Sequence, residues 1–318
     1  MADRVTAYRE QAVLLGPTRS LVGILCAPTT APPPGAATVV ILNSGIIHRV
    51  GANRLHVQVA RTLASMGVPV VRFDLSGIGD SPPRTDLLPV LDGVMADIRS
   101  VLDHLSAVRG DASFVLMGLC SGAMHAILYG ADDPRVDGLV LLDLLIPRTT
   151  GYWLRRVRRR LFVPMTWRNV LTGRTRLWRR AASARDGSAV AVNDETYPAH
   201  LIRDALDARF RATIARGVPT LAIFTGGLEG QHNYRHQLLH ALPGVDFGDR
   251  LQLEYFADSD HTFSNAATRQ AMIDLVARWF HTAKRPIRPA ANGDTAAETP
   301  ATSGSASEER EDREDLAF

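Results

Sequence analysis

Residues 112–130 read ASFVLMGLCSGAMHAILYG, and this stretch decides the fold. The apolar run Ala112–Met117 predicts a buried strand, and the helix-favouring run Ala123–Tyr129 predicts a helix. Between them, GLCSG at 118–122 places a cysteine midway between two glycines. A strand that turns sharply into a helix through Gly-x-Nu-x-Gly exposes the middle side chain at the edge of a sheet. Cys120 is therefore the candidate nucleophile, although a free cysteine can also pack as a small buried hydrophobe.

A carboxylate and a histidine follow two later strands. Val218–Thr225 predicts a strand that ends just before Glu229, and Arg250–Phe256 predicts one that ends just before His261. Because the carboxyl ends of parallel strands meet at one edge of a sheet, we expect Cys120, Glu229 and His261 to lie together. The order nucleophile, acid, histidine along the chain is one of the known orders of a catalytic triad.

The identity of the acid stays open between three carboxylates. Asp143 ends the apolar run Val136–Asp143 and stands where some triads carry their acid. Asp258 lies close to His261 in sequence. Glu229 is the preferred candidate, Asp143 the second and Asp258 the third.

Attack by a nucleophile on a carbonyl also needs donors for the developing oxyanion. In this architecture one donor is the backbone N–H after the nucleophile, and the other follows the third strand. Thr38–Leu42 predicts that strand, followed by NSGI at 43–46. The backbone amides of Ser121 and Ile46 are therefore the candidate oxyanion hole, with an ordinary turn at Gly45 as the alternative.

Composition and alternation predict an α/β fold with a mostly parallel sheet covered by helices on both faces. The chain has 318 residues, of which 46% are hydrophobic. Its two cysteines, Cys26 and Cys120, lie in separate predicted strands, so no disulfide framework is expected. The N-terminus lacks a signal-peptide pattern and no apolar run reaches the length of a membrane span. We therefore expect a cytoplasmic protein.

Two segments are predicted to lie outside the core, which comprises residues 1–145 and 217–283. Residues 146–216 interrupt the alternation and predict a helical cap inserted over the site, and 284–318 predict a disordered tail. From Gly151 to Arg185 the chain carries eleven arginines, three of its four tryptophans and no acidic residue.

Three interpretations of this basic segment stay open. It is a solvated helix face, a lid that attracts the anionic handle of coenzyme A or an acyl carrier protein, or an amphipathic helix on a membrane surface. Nucleic acid is the least favoured partner, because no recognition motif accompanies the patch. The oligomeric state cannot be read from the sequence.

Several blocks resemble the α/β-hydrolase superfamily, and within it the cysteine-containing bacterial exosortase A system-associated hydrolases. They are LVGI at 21–24, NSGIIHRVGANR at 43–54, RFDLSGIGDS at 72–81, GLCSGA at 118–123, TGGLE at 225–229, Tyr234 and DHTF at 260–263. The resemblance spans most of residues 10–282 and implies the hydrolase fold with a Cys–His–acid triad. It implies no substrate. Relatives often carry Asp after the cysteine, whereas this chain has Ser121.

The sequence therefore predicts a hydrolase that cleaves a carboxylic ester or thioester through an acyl-thioester enzyme. One alternative is an acyltransferase that uses the same acyl-enzyme with an acceptor other than water. Another is a ligand-binding module without catalysis. No cofactor or metal is expected, since His232, His236 and His240, spaced four apart, are more typical of a surface helix than of a metal site.

Overall fold

The computed structural model describes residues 7–32, 36–161, 199–228 and 230–282. The strands are β1 Tyr8–Leu15, β2 Leu21–Pro28, β3 Thr38–Leu42, β4 Val70–Phe73, β5 Phe114–Leu119, β6 Val136–Leu142, β7 Thr220–Thr225 and β8 Leu251–Phe256. The helices are α1 Leu55–Ser65, α2 Val90–Arg109, α3 Ser121–Gly130, α4 Thr150–Leu161, α5 Ala199–Ala215, α6 Gln237–Ala241 and α7 Ala266–Thr282.

The eight strands form one sheet in the order β1-β2-β4-β3-β5-β6-β7-β8. The first strand pairs antiparallel with β2, and β2 pairs antiparallel with β4. From β4 to β8 every neighbouring pair is parallel. The carboxyl ends of six strands therefore share one edge, which we call the carboxyl edge. The predicted mostly parallel α/β sheet is confirmed.

Helices cover both faces because the central strands are apolar on both sides. Every residue of β3, β4, β5 and β7 is buried, as expected for strands inside a parallel sheet. On one face the core includes residues of α2, α3, α5 and α6, and on the other it includes residues of α1 and α7. This three-layer arrangement fixes the sheet edge rigidly, so loops at that edge can hold side chains in defined positions.

The domain boundaries drawn from the sequence stay a prediction. Helices α4 and α5 fall within the proposed insertion 146–216, and α5 buries Leu206 and Phe210 in the main core. Residues 162–198 of that insertion and the proposed tail 284–318 lie outside the described residues. Within the described part of the chain, no helix is long and apolar enough to cross a membrane.

Candidate active site

The turn between β5 and α3 holds Cys120 in a strained conformation at the carboxyl edge. Its φ is 57° and its ψ is −116°, which is uncommon for a residue with a side chain. The Cys120 amide donates to the Leu142 carbonyl at 2.9 Å, which ties the turn to the neighbouring strand β6. Strain of this kind typically costs about 1–3 kcal/mol and persists only where the surrounding structure enforces it.

The two glycines of the turn are required by close backbone contacts. A Cβ at Gly118 would lie 2.2 Å from the carbonyl carbon of Gly122. A Cβ at Gly122 would lie 2.5 Å from the carbonyl oxygen of Asn43. Both contacts are with backbone atoms, which cannot turn aside as the end of a flexible side chain can, so glycine is required at both positions of this turn.

The structure brings His261 to Cys120, as the sequence predicts. His261 lies on the loop after β8, and its Nδ1 is 2.8 Å from Oδ2 of Asp143. The hydrogen bond with Asp143 and a second one with Cys120 raise the pKa of His261 to about 10, against the opposing effect of burial. The geometry therefore favours a protonated imidazole beside the sulfur.

Asp143 follows directly after β6 and is held by the neighbouring strand β7. Its side chain is buried, and its two oxygens accept the backbone N–H and the hydroxyl of Thr225, both at 2.7 Å. Burial alone would raise the pKa of Asp143, but its contacts with His232 and His261 lower it below the ordinary value. Asp143 therefore remains an ionised carboxylate that orients the His261 ring.

Glu229, the preferred acid of the sequence prediction, lies outside the described residues. Asp143 was the second candidate, and its carboxylate contacts His261 directly. Asp258, the third candidate, is exposed.

His232 also lies in the candidate site, which was not predicted from the sequence. Its spacing with His236 and His240 favoured a surface helix, but α6 begins only at Gln237. His232 is instead completely buried, with Nε2 3.1 Å from Oδ1 of Asp143. This contact does not have the geometry of a regular hydrogen bond. Neither ring nitrogen of His232 has a hydrogen-bond partner in the part of the chain described.

The ring of His232 packs edge-on against Phe224, with centroids 4.7 Å apart, so this buried imidazole is fixed in place. Among the described residues no cluster of His, Cys, Asp and Glu could hold a metal ion. The feature of the sequence that could have identified His232 as a site residue is its position on the loop after β7, at the carboxyl edge.

The loop after β3 lies against the first turn of α3. The Gly45 amide donates to the Ser121 hydroxyl at 2.7 Å, and the Ile47 amide donates to the Ser44 carbonyl at 3.0 Å. Ile46 lies in the middle of this turn, with its side chain exposed. The Ser121 side chain thus fastens the loop that carries the predicted Ile46 donor, and the oxyanion role of the Ser121 and Ile46 amides stays a prediction.

The protein-family model described as Hydrolase_4, serine aminopeptidase S33, matches residues 34–196 of this chain. A comparison with curated protein sequences found no match.

Solved structures show the same fold at low sequence identity. An esterase from Pyrococcus furiosus has a TM-score of 0.50 and 12% identity, covering 87% of this chain and 91% of its own. An α/β serine hydrolase homologue from Coxiella burnetii has a TM-score of 0.52 and 13% identity, covering 85% and 96%. A meta-cleavage product hydrolase from Pseudomonas fluorescens has a TM-score of 0.51 and 18% identity, covering 86% and 98%. The chain therefore has the α/β-hydrolase fold.

Proposed function

Because the chain belongs to the Hydrolase_4 family of S33 serine aminopeptidase-like α/β hydrolases, we propose that it hydrolyses a carboxylic ester or thioester with Cys120 as nucleophile. The observation that carries this proposal is the strained turn that presents Cys120 to an imidazole held by a buried carboxylate. One of the solved structures above is described as an α/β serine hydrolase homologue, whereas this chain has a cysteine in the middle of its Gly-x-Nu-x-Gly turn.

In the proposed first step, the Cys120 thiolate attacks the carbonyl carbon of the substrate and forms a new C–S bond. The carbonyl oxygen becomes an oxyanion, which the backbone amides of Ser121 and Ile46 stabilise. The His261 imidazolium then donates its proton to the leaving oxygen or sulfur, and the bond to the leaving group breaks. Asp143 keeps the imidazole in the required orientation throughout, since it accepts from Nδ1 and leaves Nε2 to face the reacting atoms.

In the second step, the now neutral His261 takes a proton from water, which attacks the acyl-thioester. The C–S bond breaks and the acid is released. A thioester also reacts with amines, alcohols and other thiols, so the same acyl-enzyme could serve an acyltransferase. A ligand-binding module without turnover is the remaining alternative, and Glu229 remains the alternative acid.

Intact mass spectrometry tests the acyl-enzyme directly. After incubation with p-nitrophenyl esters and acyl-coenzyme A thioesters of graded chain length, we expect one acyl group per chain on the wild type and on Cys26→Ala. Cys26 is buried, which raises its pKa to about 11, so it is a matched cysteine control. No adduct should form on Cys120→Ala.

The outcomes separate the three functions. An acyl adduct that decays in water indicates the hydrolase, and one that persists until an amine or thiol is added indicates the transferase. Ligand binding without any adduct on the wild type would refute the covalent mechanism and leave the binding module.

A further inference from the structure

Helix α4 is anchored on one side and leaves an apolar stripe on the other. Tyr152 is 1% exposed, and the Thr149 hydroxyl lies 2.7 Å from the Tyr234 hydroxyl, so this side of the helix faces the protein. Arg155 stacks over the Tyr234 ring at 4.1 Å. Since 100° separates successive residues of a helix, Trp153, Leu154 and Val157 share a sector of about 100° that turns away from Tyr152.

This stripe is unusual because its side chains are exposed. Trp153 is 50% exposed, Leu154 70% and Val157 54%. Arg158 borders the stripe and is also exposed. A helix with an apolar stripe bordered by arginines has the pattern of a helix that lies in a membrane interface.

Two further apolar groups lie at the same edge of the sheet. Ile46, in the loop after β3, is 93% exposed. Leu87 and Val90, between β4 and the start of α2, are 98% and 87% exposed, and Leu88 between them is 45% exposed. Because β4, β3, β5 and β6 are neighbours and parallel, these loops and α4 flank Cys120 on both sides. Isolated exposed apolar residues need no explanation, but a group around one site does.

The charge of α4 indicates an anionic partner. From Leu144 to Leu161 the sequence contains six arginines and no Asp or Glu. Helix α4 therefore has no carboxylate of its own to neutralise its arginines. The cationic part of this surface is α4, whereas the Leu87 group is flanked by the exposed Asp86, which pairs with Arg84, and by the exposed Asp92. An apolar stripe bordered by arginines suits a flat anionic bilayer, into which apolar side chains insert while arginines contact phosphates.

We propose that the carboxyl edge docks on an anionic lipid membrane through a basic apolar rim. The rim consists of Ile46, Leu87, Leu88, Val90, Trp153, Leu154, Val157 and Arg158. Docking itself requires only this surface. What docking implies for the substrate rests on the proposed function. A docked site opens toward the bilayer, so the ester or thioester that it cleaves is an amphiphilic or membrane-resident molecule.

Co-sedimentation of the full chain with vesicles tests the rim. The probes are vesicles of phosphatidylcholine alone and vesicles containing phosphatidylglycerol, measured at low and at physiological salt. We expect binding to the anionic vesicles that weakens as salt increases. Arg158→Glu changes the charge by two units and should weaken binding about 30-fold, at about fivefold per unit. The double variant Leu154→Ser/Val157→Ser should weaken it on the order of tenfold.

Matched controls lie at the other edge of the molecule. Val108, near the end of α2, is 67% exposed, and Arg278, near the end of α7, is exposed. Val108→Ser and Arg278→Glu should bind like the wild type. The rim variants and the two control variants should all hydrolyse a soluble p-nitrophenyl ester at the wild-type rate, which verifies that they are folded.

Cys120→Ala should keep full vesicle binding, so loss of the chemistry and loss of docking are distinguishable. The proposal is overturned if the wild type ignores anionic vesicles, if it binds neutral vesicles equally well, or if the two control variants weaken binding as much as the rim variants. Binding to an acidic acyl carrier protein without binding to vesicles would likewise overturn it in favour of a protein partner.

Discussion

Asp143 receives more polar contacts than orientation of one imidazole requires. Oδ2 accepts from His261 and from the Thr225 hydroxyl, while Oδ1 accepts from the Thr225 amide and lies 3.1 Å from His232. An ionised carboxylate has about four acceptor sites; three of these accept hydrogen bonds here, and His232 lies beside the carboxylate as a fourth polar neighbour. A carboxylate surrounded in this way keeps its charge despite burial, and its charge in turn keeps His261 protonated.

Replacing Asp143 tests which carboxylate is the triad acid. Asp143→Asn removes the negative charge beside Nδ1, so the pKa of His261 should fall well below about 10. We expect kcat/KM for a p-nitrophenyl ester to fall by about 10²–10⁴. NMR titration of the His261 ring measures the pKa, and steady-state kinetics measure the loss. Glu229→Gln is the matched variant and should change neither the pKa of His261 nor kcat/KM. A large loss of kcat/KM in Glu229→Gln, with none in Asp143→Asn, would identify Glu229 as the triad acid.

His232 contacts the candidate triad through Asp143, so its replacement should show a specific pH signature. His232→Phe keeps an aromatic ring beside Phe224 but removes the polar neighbour of Oδ1. Because contact with His232 lowers the pKa of Asp143, the acidic limb of the kcat/KM profile should move to higher pH. We expect a loss on the order of tenfold near neutral pH, since a buried charged acceptor loses a partner.

The conservative variant separates this effect from a packing defect. His232→Gln retains an N–H group and should restore part of the activity and the original acidic limb. A His232→Phe enzyme with an unshifted pH profile would show that His232 only fills space.

At the scale of secondary-structure elements, the sequence predicted the strands well because local pattern decides them. The fully apolar strand β5 and the glycines around Cys120 leave no other arrangement, since a side chain at Gly118 or Gly122 would collide with backbone. His261 was also predictable, because the end of β8 places it at the carboxyl edge. These features depend on residues close together in the chain.

The contacts of Asp143 could not be predicted in the same way, because they join loops after three different strands. The loops after β6 and β7 begin at the same edge, so position excluded neither Asp143 nor Glu229, and Glu229 was the preferred candidate from the sequence. The choice depends on side-chain direction, which pattern does not encode. His232 was missed for a similar reason: helical spacing favoured a helix, whereas burial against Phe224 and Asp143 fixes a turn.

For the whole molecule, we expect the His261–Asp143 pair to contribute to stability, and the sign of its pH dependence follows from the raised pKa of His261. The pKa of His261 is raised from an ordinary 6.5 to about 10 in the folded protein. Its contribution is therefore fully present below about pH 6.5 and is lost as the pH rises through about 10.

We expect the free energy of unfolding of the wild type to exceed that of His261→Gln at pH 6 and the difference to shrink steadily toward pH 10. Urea titrations at pH 6, 8 and 10 measure this difference. Thr282→Ser, at the end of α7, is a control without a titrating side chain, and its stability relative to the wild type should not vary with pH over this range. A difference between wild type and His261→Gln that stays constant from pH 6 to 10 would show that the imidazolium–carboxylate pair with Asp143 does not stabilise the fold.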